Sequence, residues 1–278
     1  MALSVLALVC AREAMAAGPM LGTSTRAARE DAMRSIPLDK LAPALKAKVT
    51  ATLADTTIYR RLPVQVIDCD PDLYLFLVRH PEVVVNIWEV MKISNVAIQR
   101  TGPDTFRASD GVGTLCDVTF CYSDHETQVV YAEGSYNGPL LSRPVRAKCV
   151  LLLKSGYMQE TNGRYYVTTR MDTFIHIDHA GLEILAKTLQ PLMNRTADYN
   201  FAETAGFFST ISRTAESNPA GMARLAVKLA NVDDDVRDRF SELAVGVGRK
   251  SRERKATQAS VNGPLTKAGQ VRALSDRR

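Results

Sequence analysis

The sequence predicts an α+β fold in which an antiparallel sheet packs against one long helix towards the C-terminal end. Three observations support this prediction. Two short apolar helical segments meet at the pair His80-Pro81. Apolar and polar residues then alternate with a period of two, which is typical of strands, over residues 95–177. Finally, a stripe of leucines at helical spacing begins at Leu182 and indicates a long helix.

The N-terminal part of the chain contributes a helix and a strand to this fold. Residues 36–55 contain apolar side chains at helical spacing and predict a helix. Residues 57–67, TIYRRLPVQVI, are rich in β-branched and aromatic side chains and predict a strand. Pro63 lies within this strand and cannot donate a backbone hydrogen bond. We therefore expect an edge position or a bulge there.

Residues 70–91, DPDLYLFLVRHPEVVVNIWEVM, predict two short helices set at an angle. Asp70 is suited to cap the first helix, and Pro71 is suited to its first turn. Proline disfavours the helical conformation in the preceding residue, so the first helix should end near Arg79 and the second should begin at His80. We expect the two helices to lie along the rim of a curved sheet.

Six strands are expected next, and most are separated by short turns such as Gly-Pro-Asp and Thr-Asn-Gly-Arg. Such short connections favour an antiparallel meander. The predicted strands are residues 95–101, 105–109, 113–122, 128–136, 145–154 and 165–177. In the last strand, one alternate set is mostly apolar and includes Met171 and Ile175. The other set is mostly polar and includes Asp172 and His176, so we expect that face to meet solvent.

The C-terminal part of the chain is predicted to be helical and then disordered. The long helix should run over residues 181–213, and residues 56–213 together form the main domain. Two shorter helices follow within residues 214–248 and are expected to pack on that domain. Residues 249–278 are polar, basic and poor in aromatic residues, so they predict a disordered tail.

The first 35 residues are expected to be a flexible leader. Residues 1–10 form a short apolar run, and Ala14-Met15-Ala16 resembles a signal-peptidase cleavage site. However, no basic residue precedes the apolar run, and Arg12 and Glu13 lie just before the site. Export and a cytoplasmic location therefore both remain open. No stretch of the sequence is long and apolar enough to predict a transmembrane span.

The net charge of +5 is distributed unevenly along the 278 residues. Residues 249–278 carry +7 and residues 1–48 carry +3, whereas residues 49–248 carry −5. A nucleic-acid-binding domain would need basic residues clustered on its folded surface. The charge distribution therefore argues against nucleic-acid binding through the folded core.

The order of elements, namely a strand, two short helices, an antiparallel meander and a long helix, resembles the helix-grip fold. This fold is shared by START-type lipid-transfer domains, birch-pollen-allergen-type proteins and polyketide cyclase-like proteins. The resemblance covers residues 56–213 and rests on the segments DPDLYLFLVRHPEVVVNIWEVM and RYYVTTRMDTFIHIDHAGLEILAKTLQPLM. It implies a sheet curled around the long helix, with a hydrophobic cavity between them. A hydrophobic small molecule or a lipid is the partner that it implies.

Two groups of side chains are candidates for binding a ligand in such a cavity. The first group is aromatic or apolar and consists of Trp88, Phe120, Tyr122, Tyr131, Tyr165, Met171 and Leu189. The second group continues the leucine stripe of the long helix with polar residues, which are Thr196, Asn200 and Glu203. These polar residues either orient the polar end of a ligand, or lie beyond the domain, where they meet solvent or pair with the C-terminal helices.

No catalytic residue, metal site or cofactor is predicted. The motif HIDH at residues 176–179 has metal-binding side chains, but strand alternation turns His176 and Asp178 away from the core. His179 lies at the junction of strand and helix, where a capping or turn role is expected. No nucleophile elbow or glycine-rich phosphate loop occurs. The five cysteines have no zinc-binding spacing, so we expect small buried thiols.

Three classes of function follow from these observations. Non-catalytic binding or carriage of a hydrophobic molecule is favoured, because a largely apolar concave site with few polar groups suits binding. A structural or interaction protein with a filled core is the alternative, since cavity volume cannot be read from a sequence. A cyclase-like enzyme is less favoured, because the core-facing pattern contains no acid–base pair. The sequence does not predict an oligomeric state.

Overall fold

An eight-stranded antiparallel sheet forms the centre of the computed structural model, which describes residues 22–139, 144–178 and 190–261. The strands are β1 (Ile58–Arg61), β2 (Gln65–Asp68), β3 (Ala97–Gly102), β4 (Thr105–Ser109), β5 (Thr114–Ser123), β6 (Thr127–Tyr136), β7 (Val145–Gln159) and β8 (Tyr165–Ile177). The helices are α1 (Arg26–Arg34), α2 (Pro43–Ala54), α3 (Pro71–Arg79), α4 (Pro81–Val90), α5 (Gln190–Ser217), α6 (Pro219–Val227) and α7 (Asp234–Val261). The predicted α+β class and its helix-grip order of elements are confirmed.

The strands follow the order β1-β8-β7-β6-β5-β4-β3, and β2 also pairs with β8. The meander from β3 to β8 is therefore continuous, as the short turns predict. Residues 57–67 form two strands instead of one. β1 pairs with the second half of β8, where Ile58 lies opposite Ile175, and β2 pairs with its first half. Pro63 lies in the break between β1 and β2. This position agrees with its lack of a backbone N–H for hydrogen bonding to a neighbouring strand.

The break between α3 and α4 is found where the sequence predicts it. The Asp70 carboxylate caps α3 by accepting hydrogen bonds from the backbone N–H groups of Asp72 and Leu73, at 3.1 and 3.3 Å. α3 ends at Arg79, and α4 begins at Pro81. The two helices bury apolar faces against the same side of the sheet.

The main hydrophobic core lies between one face of the sheet and the helices α3, α4 and α5. Val130, Leu151 and Met171 contribute from the sheet, and each is less than a tenth exposed. α5 contributes a buried stripe that consists of Ala197, Phe201, Ala205, Phe208, Ile211 and Ala215. α6 and α7 extend this core through a further set that includes Met222 and Phe240.

The opposite face of the sheet is also covered, which corrects the expectation that the polar face of β8 meets solvent. Helices α1 and α2 pack over it and form a second core with residues such as Phe174. Asp172, on this face, is fully buried. The Arg61 guanidinium and the Tyr59 hydroxyl donate hydrogen bonds to its carboxylate at 2.7 and 2.6 Å. A polar residue in an alternating pattern therefore marks a buried ion pair here.

Helix α1 lies within the segment expected to be a flexible leader. The Thr25 side chain caps it by accepting a hydrogen bond from Ala28 N–H, and Ala28 and Ala32 are buried. Asp31 forms an ion pair with Arg61 at 2.7 Å. This pair connects α1 to the same buried network that contains Asp172. The features that predict a signal peptide lie in residues 1–16, which are outside the described residues.

Helix α7 continues beyond Arg249, where the sequence predicts the start of a disordered tail. Ser251 is 1% exposed. Lys250 forms ion pairs with Asp70 and Asp72 of α3, at 2.9 and 3.0 Å. Basic residues that look solvent-directed in the sequence thus hold this part of α7 against the domain. None of the helices in the described part of the chain is long and apolar enough to cross a membrane.

Candidate functional site

A narrow apolar slot opens between the sheet and the helices α3, α4 and α5. Its volume is about 40 Å³. Among its described lining residues, only Gln128 and Thr204 are polar. The apolar members are Leu77, Val78, Pro81, Val84, Val85, Trp88, Ile98, Val118, Phe120, Val130, Leu151, Leu153, Met171 and Phe208. The slot is the counterpart of the cavity that the helix-grip resemblance implies.

Two half-buried aromatic rings lie at the solvent side of the slot. Trp88 projects from α4 and makes an edge-to-face contact with Phe207 of α5, with ring centroids 5.7 Å apart. Phe120 projects from β5 and makes a similar contact with Phe106 at 5.8 Å. Trp88 is the only tryptophan of the chain. Its fluorescence therefore reports directly on this region.

Gln128 places a polar group within this apolar lining. It lies at the start of β6, on the same face as Val130, and is 3% exposed. Its Nε2 donates a hydrogen bond to the backbone carbonyl of Asp124 at 2.6 Å. Its Oε1 is buried and has no hydrogen-bond partner among the described residues. Buried polar atoms in proteins are nearly always paired, so this acceptor is the unusual feature of the site.

The turn before β6 holds Gln128 in place. The Asp124 carboxylate accepts hydrogen bonds from the Tyr122 hydroxyl at 2.7 Å and from the backbone N–H groups of Glu126 and Thr127 at 2.8 and 2.6 Å. Burial alone would raise the pKa of Asp124, but these hydrogen bonds outweigh it and lower the pKa. The carboxylate therefore stays ionised and keeps the turn fixed at neutral pH.

The volume of the slot limits what it holds without movement. A cavity of this size accommodates about three water molecules, whereas about 150 Å³ holds benzene. Sites for drug-sized ligands span about 300–1,000 Å³. An aromatic ligand therefore enters only if the slot widens. The half-buried side chains of Trp88 and Phe120 are the lining groups least constrained by the surrounding core.

The structure brings three of the ten predicted ligand-binding residues together at the slot. They are Trp88, Phe120 and Met171. Tyr122 and Tyr131 lie on the opposite face of the sheet, in the second core. A bulge between Phe120 and Tyr122 shifts the register of β5, so strand alternation counted through this point assigns Tyr122 to the wrong face.

The remaining predicted residues do not line the slot. Tyr165 is 36% exposed and borders a separate groove, because it lies at the hairpin end of β8. Glu203 is exposed, and Thr196 and Asn200 are half-buried beside the inward stripe of α5. Extending the leucine stripe past Pro191 therefore selects a face next to the buried one. Leu189 lies outside the described residues.

A second, larger hollow lies at the other end of the main core, between α3, α7 and the β7–β8 hairpin. This groove has a volume of about 840 Å³ and is lined mostly by charged and polar side chains. Lys250 pairs with Asp70 and Asp72, and Arg254 pairs with Glu216 at 3.0 Å. Ion pairs within the protein thus use the charged groups that an ionic ligand would otherwise contact.

His80 and His176 make hydrogen bonds within the fold. His176 Nδ1 lies 2.7 Å from the Asp55 carbonyl oxygen, so this nitrogen carries the proton and donates the hydrogen bond. His80 Nδ1 lies 3.1 Å from Glu82 Oε1, which also accepts from Arg100 Nη2 at 2.6 Å. His179 lies outside the described residues. In the part of the chain that the structure describes, no three His, Cys, Asp or Glu side chains are grouped to hold a metal.

The four described cysteines are free thiols, and all are at least partly buried. Burial raises the pKa of Cys116 and Cys121 to about 11, and that of Cys149 to about 12. These thiols are therefore protonated at neutral pH, when they are weak nucleophiles. They act as small apolar side chains in the structure.

No protein-family model and no curated protein matches this chain. Solved structures with a similar arrangement include an uncharacterised protein from Rhizobium leguminosarum, at 12% identity and a TM-score of 0.29, covering 51% of this chain and 93% of that one. A hypothetical protein from Helicobacter pylori matches at 13% identity and a TM-score of 0.31, and the match covers 51% of this chain and 84% of that one. Ara h 8.0201 matches at 11% identity and a TM-score of 0.25, and the match covers 51% of this chain and 98% of that one. Similarities of this size carry no argument about function.

Proposed function

We propose that this protein binds a small hydrophobic molecule, without transforming it, in the slot between the sheet, α4 and α5. The observation that carries the proposal is the composition of the slot lining, whose described members are apolar apart from Gln128 and Thr204. Sites for apolar ligands combine such a lining with a small number of placed polar groups. Binding or carriage is favoured over catalysis because neither of these two polar side chains is an acid or a base near neutral pH.

The location of the slot also supports binding. It lies where the edge of α4 meets α5, with half-buried rings at its solvent side. Rotation of an aromatic side chain at such a position exposes the apolar interior without separating the sheet from the helices. Because the slot measures only about 40 Å³, the free energy of binding must include the cost of this widening.

A structural or interaction protein with a closed core is the second candidate. The same small volume favours it, because a core that is already filled has no space for a ligand. The two candidates differ in one measurable respect. Only a binding protein is stabilised by an apolar molecule that enters the slot.

Thermal unfolding with p-xylene tests the proposal. At a concentration ten times its Kd, a ligand specific for the folded state adds about 1.4 kcal/mol, which raises the Tm by about 3–5 °C. The variant Val130→Phe places a ring in the slot and should abolish this shift. The same substitution at Val66, which is 65% exposed on β2, should leave the shift unchanged.

Loss of the shift in Val130→Phe, together with its retention in Val66→Phe, would support binding in the slot. An unchanged Tm for the wild-type protein at saturating p-xylene would favour the closed core. Val130→Phe should lose about 1–3 kcal/mol of stability through overpacking in either case, because the added ring exceeds the volume of the slot.

A further inference from the structure

The unpaired acceptor of Gln128 carries an inference about the ligand, which rests on the proposed function. The carboxamide has a defined orientation. Its Nε2 donates to the Asp124 carbonyl at 2.6 Å, and exchanging the nitrogen with the oxygen would place two acceptors at that distance. Oε1 is therefore the atom of this lining residue that is left without a partner among the described residues, since it cannot use the Asp124 carbonyl.

The acceptor is also rigid. The Asp124 carboxylate accepts hydrogen bonds from Tyr122, Glu126 and Thr127, which fix the turn. The backbone N–H of Asp124 also donates to the Thr127 carbonyl at 2.9 Å. A polar group held in one position before a ligand arrives loses little entropy when it forms a hydrogen bond. A donor on the ligand thus completes the hydrogen bonding of a residue that is already in place.

The surroundings of Gln128 limit the charge of that donor. No charged side chain belongs to the described lining of the slot. A buried ammonium group would have no counter-ion there, and a carboxylate would face an acceptor oxygen. Thr204 does not supply the missing donor, because its hydroxyl donates to the Asn200 carbonyl at 2.8 Å.

We propose that the slot selects neutral apolar molecules that carry one hydroxyl group, such as phenols or apolar alcohols, and that Gln128 Oε1 accepts the hydrogen bond from this hydroxyl. Gln128 is then the residue that determines specificity, and the apolar lining supplies affinity. A hydrocarbon of the same shape binds without using the acceptor.

The test compares p-cresol with p-xylene, in which a methyl group replaces the hydroxyl. Calorimetric titration gives the Kd of each for the wild-type protein, for Gln128→Leu and for the control Gln159→Leu, an exposed position on β7. The ratio of the p-cresol Kd to the p-xylene Kd should rise about tenfold in Gln128→Leu, because the hydroxyl loses its partner. It should not change in Gln159→Leu.

The outcomes separate this inference from the proposed function. If both molecules bind and the ratio is the same in Gln128→Leu as in wild type, the slot binds ligands but Gln128 does not select them. If neither molecule binds the wild-type protein, both proposals are wrong. If Gln128→Leu does not fold, NMR of the wild-type protein labelled with ¹³C at glutamine Cδ tests the inference instead. Its Gln128 resonance should shift more with p-cresol than with p-xylene, because both rings lie beside Gln128 but only the hydroxyl donates to Oε1, and equal shifts at saturation overturn the inference.

Discussion

Single residues in this protein show how burial changes the value of an ion pair. Arg61 and Asp172 are 2.7 Å apart, and the Asp172 side chain is fully buried. Arg107 and Asp117 are 2.9 Å apart, but both side chains are more than half exposed. The two pairs contain the same chemical groups at similar distances. When Arg61 is removed, the buried Asp172 carboxylate keeps only Tyr59 and Arg170 as partners among the described residues, whereas Asp117 is solvated by water.

Substitution of these two arginines by methionine should therefore give different results. Arg61→Met should lower the free energy of unfolding by about 3–5 kcal/mol, because it leaves the Asp172 carboxylate without its main partner. Arg107→Met should lower it by about 0–1 kcal/mol. Urea denaturation measures both changes. Equal losses in the two variants would mean that the Arg61 network does not stabilise the packing of α1 on the sheet.

Glu82 gives the stability of the protein a dependence on pH. Burial alone would raise its pKa, but hydrogen bonds from His80 and Arg100 outweigh this effect, and the pKa is lowered. Because the pKa in the folded state lies below the value of about 4.3 in the unfolded state, Glu82 contributes stability above that pH. This contribution is lost as the pH falls through the folded-state pKa.

A comparison of wild type with Glu82→Gln across pH should reveal this contribution. The variant should be less stable at pH 7, and the difference should narrow as the pH falls below about 4.3, because the unfolded chain then takes up a proton that the folded-state Glu82 still resists. Urea denaturation at a series of pH values measures the difference. Glu242→Gln, at an exposed position on α7, is the matched control and should show neither effect. A difference of constant size from pH 7 to pH 3 would contradict the assignment to Glu82.

At the scale of elements, α7 shows how a polar sequence can still pack. The segment after Arg249 has few apolar residues. Even so, ion pairs connect Lys250 and Arg254 to the folded domain, and Ser251 is buried. Truncation after Gly248 should therefore lower the Tm by about 4–8 °C, which corresponds to about 2 kcal/mol. Truncation after Val261 is the control and should have little effect, because residues 262–278 are polar and basic. Equal Tm values for the two truncated proteins would show that residues 249–261 contribute no stability.

The elements that local chemistry determines were predictable from the sequence. The Asp70 cap, the break at His80-Pro81 and the period-two alternation each depend on nearby residues, and the structure contains all three. The bulge between Phe120 and Tyr122 and the covering of the β8 polar face by α1 and α2 depend on tertiary contacts. For this reason, alternation correctly identified Met171 as inward but misplaced Tyr122.

The candidate site was less predictable than the fold. Gln128 was not among the predicted ligand-binding residues, although it precedes Val130 and Ala132 on the inward face of β6. A single polar residue on an otherwise apolar face was the signal that could have identified it. The buried stripe of α5 could also have been predicted from the sequence, because Ala197, Phe201 and Ala205 follow helical spacing. The volume of the slot depends on how the side chains fit together, which no sequence pattern gives.

At the scale of the whole molecule, the sheet is enclosed between two helical layers with different compositions. α1 and α2 cover one face above a buried ionic network. α3, α4 and α5 cover the other face and leave a slot in which only two of the described lining residues are polar. We expect ligand binding on the second side, since an apolar lining gains from excluding water, whereas the charged groups of the ionic network pair with one another.

A crystal structure of the protein soaked with iodobenzene tests this expectation most directly, because the anomalous signal of iodine locates the ligand without reference to the protein coordinates. We expect one strong peak between Val130, Met171 and Phe208, accompanied by rotation of Trp88 or Phe120 away from the slot. A slot with no peak and unmoved side chains at a saturating concentration, or a peak only in the charged groove beside α7, would contradict it.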